Sequence, residues 1–80
     1  MTIFYTNVRS LLGKLDELRV KIMTKNYDII ALTETWLTED IPEQLILLQG
    51  YKLIRLDRSS NQRGGGVLLY IKESFTIQLS

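Results

Sequence analysis

The sequence predicts an α/β chain, a β-α-β unit followed by mostly antiparallel strands, on three observations. Two short segments, "TIFYT" (Thr2 to Thr6) and "DIIALTE" (Asp28 to Glu34), are apolar or β-branched nearly throughout, the pattern of strands covered on both faces. Between them Leu11, Leu12, Leu15, Leu18, Ile22 and Met23 recur at helical spacing, with Lys14, Asp16, Glu17 and Lys21 on the other side. After them "YKLIRL" and "GVLLYIK" alternate or run apolar between glycine-rich breaks, as strands do.

Each element follows in order. The first strand ends at Asn7-Val8-Arg9, which break the pattern. Ser10 is placed to N-cap an amphipathic helix running to about Lys25. Glu17 and Lys21 form a favourable i,i+4 pair, and Asn26 suits the left-handed residue that closes a helix. The second strand, Asp28 to Glu34, returns parallel to the first, because a helical crossover joins parallel neighbours with right-handed geometry. Their C-terminal ends then meet. Asp40 and Glu43 could cap a short helical turn through Leu48, cut off by Gly50. Tyr51 to Leu56 is a third strand, Gly66 to Lys72 a fourth and Ser74 to Leu79 a fifth, with "DRSSNQRGGG" as the hairpin loop between the third and fourth.

With 80 residues the chain holds one domain at most, and a domain this short buries only roughly 60–65% of its unfolded surface. At 45% hydrophobic and 24% charged it is too apolar for disorder. A net charge of +1 gives no global attraction to nucleic acid or anionic membrane, so any such binding must come from local clusters. Without cysteine or histidine there is no disulfide, no zinc chemistry and no histidine base. Carboxylates, amides and hydroxyls remain, and these hard ligands suit Mg²⁺, Mn²⁺ or Ca²⁺. No apolar run approaches the roughly 20 residues that span a bilayer, and the N-terminus lacks a signal-peptide pattern, so the expectation is a soluble, intracellular chain with no membrane contact.

Two constellations could carry chemistry. Asn7 and Glu34 each stand at the C-terminal end of a strand in the same β-α-β unit. Parallel neighbours lie about 4.8 Å apart, so an amide oxygen and a carboxylate there could share one hard cation. The plainer alternative is a turn-forming asparagine and a solvated glutamate. In the loop from Asp57 to Gly66, Arg58, Arg63 and the amides near Gly64, Gly65 and Gly66 could meet phosphate. The Walker pattern is absent, so a flexible hairpin with solvated charges is the simpler account. Arg9, just after Asn7, has the better claim to phosphate. Trp36 and Tyr5 could stack on a base, but core packing explains both more cheaply.

In this order and spacing, "YTNVRSLLGKLDELR", "YDIIALTETWL", "GYKLIRLDRS" and "RGGGVLLYIKE" resemble the opening of the endonuclease domain of non-LTR retrotransposons of the jockey and chicken-repeat-one kind. These belong to the endonuclease/exonuclease/phosphatase superfamily of Mg²⁺-dependent phosphodiesterases. The resemblance implies a four-layered α/β sandwich that nicks target DNA to prime reverse transcription, a DNA partner and a nuclear site of action for the parent element. It implies that Asn7 helps order the active site and that Glu34, in "TET" where other branches place a glutamine before the acid, binds the metal. "GGGV" at Gly64 to Val67 is similar to the family's glycine-rich approach to a core strand, and Arg9 and Arg58 match positions often basic, hence candidate DNA contacts. The tyrosine, Asp-x-Asn pair and Asp-His pair that complete the family's mechanism are not found here. The expectation is therefore a partial, truncated sandwich, inactive alone, with one uncovered sheet face through which it self-associates. The alternatives are another phosphodiesterase of the superfamily, such as a repair endonuclease or lipid phosphatase, or a non-catalytic interaction fragment of a decayed or co-opted element.

Overall fold

The first strand, β1 (Ile3–Asn7), is followed by one helix, α1 (Leu15–Lys25), and a second strand, β2 (Ile29–Thr33), in a computed structural model that describes residues 1–57 and 64–74. A single 3-10 turn (Glu43–Leu45) then leads to β3 (Tyr51–Leu56) and β4 (Val67–Lys72). The four strands form one mixed sheet in the order β1-β2-β4-β3. β1 and β2 are parallel, and β4 lies antiparallel between β2 and β3. This is the α/β class that the strand and helix patterns predict, with the β-α-β crossover and the third strand's bounds as expected. A fifth strand and most of the hairpin loop, with Arg58 and Arg63, lie outside the described residues.

The core sits on one face of the sheet. Ile30 and Leu32 of β2 and Leu68 and Tyr70 of β4 are fully buried and join Leu15, Leu18 and Ile22 of α1, with Leu11, Leu37, Ile46 and Leu48 from the connecting segments. Polar groups inside this layer are paired, as buried donors must be. The Tyr70 hydroxyl donates to the Ile46 carbonyl at 2.5 Å, and burial pushes its phenol well above the ordinary tyrosine range. Arg55 anchors the 38–41 segment to β3, donating to the carbonyls of Ile41 (3.0 Å) and Thr38 (3.1 Å) while paired with Asp57 at 2.7 Å. At the far end of β1, the Asp28 carboxylate accepts the Thr2 N–H at 2.9 Å, a bond that holds its carboxyl below the ordinary range.

The other face differs from expectation. β1 is an edge strand, not one covered on both sides: Ile3 is 54% and Tyr5 64% exposed. β2 is fully covered only where Ile30 and Leu32 face the helix, while Ile29, Ala31 and Thr33 are half-buried. Continuous apolar strands report that two layers cover a sheet, and among the described residues only one is present.

The helix also starts later than its hydrophobic stripe. Ser10 does not cap it; the residue lies at φ 81° and its N–H is taken by the Glu34 carbonyl at 3.0 Å. A turn closed by Lys14 N–H on the Leu11 carbonyl intervenes, and the helix begins at Leu15. Leu12 and Met23, assigned to the apolar stripe, are exposed. Glu17 and Lys21 do not pair; Lys21 Nζ stands 4.6 Å over the Phe4 ring, where the cation meets the ring's negative face. Asn26 closes the helix in the left-handed conformation as expected, its N–H on the Ile22 carbonyl. Asp40 caps no turn and instead binds the Thr38 hydroxyl, while Pro42 occupies the cap of the three-residue turn. No helix among the described residues is long and apolar enough to cross a membrane.

Candidate functional site

Parallel pairing of β1 with β2 sets Asn7 opposite Thr33, so the two strands end side by side with Glu34 one residue beyond. Past these ends the chain is tied on both flanks. On one, Val8 N–H donates to Thr33 O (2.9 Å), Ser10 N–H to Glu34 O (3.0 Å) and Leu11 N–H to Thr35 O (3.0 Å). On the other, Thr35 N–H donates to Gly66 O (3.3 Å) and Trp36 N–H to Gly65 O (2.9 Å). The Gly65 N–H then reaches the side chain itself, donating to Glu34 Oε2 at 2.5 Å. The carboxylate is thus held by a charge-assisted bond from a backbone that is itself pinned.

This end of the sheet concentrates unusual backbone. Arg9 (φ 46°), Ser10 (φ 81°), Glu34 (φ 55°) and Trp36 (φ 58°) are left-handed, and among the described residues Asn26 at the helix cap is the one other non-glycine residue there. Such residues cost of order 1–2 kcal/mol each and gather where structure serves a site. Gly64, Gly65 and Gly66 are also left-handed, at φ 74°, 84° and 93°, a run that only glycines adopt without strain. Thr35, 1% exposed, turns inward between Glu34 and Trp36, and its hydroxyl accepts the Leu37 N–H at 3.4 Å.

Of the residues singled out in the sequence, the structure therefore gathers Asn7, Arg9, Glu34 and the three glycines at one sheet end, and Arg58 lies outside the described residues. Of the three glycine amides expected near phosphate, that of Gly65 is committed to the Glu34 carboxylate, while the Gly65 and Gly66 carbonyls accept from residues 36 and 35. Core packing does not account for Trp36 or Tyr5, which are 41% and 64% exposed. Thr35 as an inward anchor and Gly65 as the carboxylate's donor are the parts the sequence alone did not reveal. Three successive glycines were the available signal for the second.

The arrangement offers hard oxygen donors. Among the described residues no donor reaches Glu34 Oε1, and the Asn7 amide is on the adjoining strand end, so the set fits part of the shell of Mg²⁺ or Mn²⁺. It is incomplete: no three histidine, cysteine, aspartate or glutamate side chains converge among the described residues.

No family model and no curated protein matches the chain. Solved structures do. The AP endonuclease LMAP from Leishmania major superposes with a TM-score of 0.78 at 25% identity over 91% of this chain and 24% of its own. The APE2 catalytic domain of Xenopus laevis gives a TM-score of 0.76 at 24% identity over 92% of this chain and 24% of its own. The chain spans about a quarter of the length of these neighbours. Over nearly all of its own length it is similar in fold to AP endonucleases, members of the endonuclease/exonuclease/phosphatase superfamily.

Proposed function

We propose that the chain is part of a divalent-cation-dependent DNA endonuclease, the target-nicking domain of a non-LTR retrotransposon, in which Glu34 is a metal ligand and Asn7 orders the site. The observation that carries this is the Glu34 carboxylate, fixed at the paired C-terminal ends of β1 and β2 by the Gly65 N–H on a left-handed backbone. Open α/β sheets bind ligands at this edge. The bound Mg²⁺ or Mn²⁺ would polarise a phosphodiester oxygen and lower the pKa of bound water. This chain's own residues supply a carboxylate and an amide to hold it, and Arg9, exposed beside them, supplies a cation for a DNA phosphate. Arg58 is proposed as a second such contact.

In a supercoiled-plasmid assay with Mg²⁺, the longer domain should nick, and its Glu34→Ala variant should lose at least the roughly 10–100-fold that removing an outer-shell partner costs. Equal nicking by both would remove Glu34 from the mechanism. The 80 residues alone should not nick, since they contain no histidine and no three convergent acidic side chains among the described residues.

A second reading, repair cleavage at abasic sites, is favoured by one observation: both structural neighbours named above are AP endonucleases. A duplex bearing a single abasic site, compared with undamaged plasmid, separates the two. Strong preference for the abasic duplex supports repair, and efficient nicking of undamaged DNA supports target-site cleavage.

A further inference from the structure

Trp36 combines three properties that neither the fold nor the proposed metal site requires. It is 41% exposed and lies outside the core cluster. Its backbone is left-handed at φ 58°, where a bulky side chain is an outlier that costs stability. And its main chain is locked, by its own N–H on Gly65 O and by Thr35 buried just before it. The direction in which the Trp36 side chain leaves the backbone is therefore fixed. A methyl group built on Gly64 would stand 3.4 Å from both Trp36 Nε1 and Glu34 Oε1, so ring and carboxylate flank the same glycine. On the opposite flank of the 34–36 segment runs the 9–11 loop, carrying the exposed Arg9 beside Ser10, whose N–H binds Glu34 O.

A cation, a carboxylate and an exposed indole then line one sheet end, each on backbone tied to the next. Those are the groups that read a nucleotide: cation to phosphate, carboxylate through a metal to the scissile group, ring to base. We propose that Trp36 is a stacking subsite for the nucleobase next to the phosphate that Glu34 serves, an inference that rests on the nucleic-acid part of the proposed function. Stacking tolerates any base, so the subsite positions an unpaired or partly unstacked nucleotide without choosing its sequence.

The chain contains one tryptophan, so its fluorescence reports this residue alone. At low protein concentration, titration with a short oligothymidylate should quench the emission saturably. An abasic deoxyribose-phosphate oligomer of equal length should bind through phosphate with little quenching. By anisotropy of a labelled oligothymidylate, Trp36→Ala should bind roughly 10-fold more weakly, the order that one base–aromatic stack contributes, and Trp36→Phe within a few-fold of the parent. Equal quenching by the two oligomers, or equal affinity for the parent and Trp36→Ala, would overturn the proposal. So would emission already blue-shifted in the free chain and unmoved by DNA, the sign of an indole covered by protein. The titration is repeated in EDTA and in Glu34→Gln. Base-dependent quenching that survives both supports the subsite even if Glu34→Ala leaves nicking unchanged and the metal assignment falls; quenching lost in the parent while nicking still depends on Glu34 sinks the subsite alone.

Discussion

Gly66→Ala should destabilise the fold by about 2–5 kcal/mol, read as a lower urea midpoint. Two costs combine. At φ 93° the alanine backbone is strained by about 1–2 kcal/mol, and the new Cβ would lie 2.4 Å from Thr35 Oγ1, an overlap worth about 1–3 kcal/mol in a packed interior. Thr35 has little room to yield: it is 1% exposed, its carbonyl accepts Leu11 N–H, and its hydroxyl accepts Leu37 N–H. Gly50 is the internal control. Its φ is 88°, but a Cβ there meets nothing within 4 Å, so Gly50→Ala should cost only the backbone part, about 1–2 kcal/mol. Adding Thr35→Ala to Gly66→Ala should recover part of the loss, a coupling that Gly50→Ala would not show. If the two glycine variants are equally stable, the close approach of Gly66 to Thr35 is wrong. Because Gly66 precedes β4 and follows the residue that binds Glu34, the same variant should also loosen the carboxylate.

The elements of the fold were readable because their signals are local. Leu15, Leu18 and Ile22 are spaced for one helix face, and that face is buried; Tyr51 to Leu56 and the parallel return of β2 follow from period and crossover geometry. What escaped depends on partners distant in sequence. Ser10 is a good helix cap by residue type, but the left-handed backbone at residues 9 and 10 is tied to the Glu34 carbonyl and the helix begins only at Leu15, and only the β1–β2 register brings that carbonyl near. Nor does any pattern in "YKLIRL" and "GVLLYIK" tell that β4 inserts between β2 and β3. At the site, strand-end logic places Asn7 and Glu34 together, and the β1–β2 register sets Asn7 opposite Thr33, one residue before Glu34. Residue type speaks for burial of Trp36, but it sits at φ 58° beside the inward-turned Thr35 and is 41% exposed.

The 80-residue chain should self-associate through the outward face of the sheet. Strand register arranges that face in rows: Ile3, Ile29, Ile71 and Lys52; Tyr5, Ala31, Leu69 and Ile54; Asn7, Thr33, Val67 and Leu56. Lys52 is the one charged side chain in these rows, while Ile3, Tyr5, Ile54 and Leu56 are all more than half exposed. Contiguous apolar surface of this kind seeks cover. On size-exclusion chromatography the chain should elute above monomer size, increasingly so as concentration rises. A sharp monomer peak at every concentration would contradict this. Two modes of association are open, face on face or edge pairing through β1 or β3, and one substitution separates them. Leu69→Lys puts a charge at the centre of the face while leaving both edges unchanged. Face packing should then weaken by several kcal/mol, roughly 100-fold or more, because each copy brings a like charge to the same desolvated patch. Edge pairing would be nearly indifferent. The longer domain implied by the retrotransposon resemblance gives the opposite sign. On that reading a second sheet would cover this face, so Leu69→Lys should leave the oligomeric state unchanged and instead lower the stability of the fold, as an unpaired buried charge does. Rescue of the monomer in the short chain together with loss of stability in the long one would identify the outward face as the seat of that second layer.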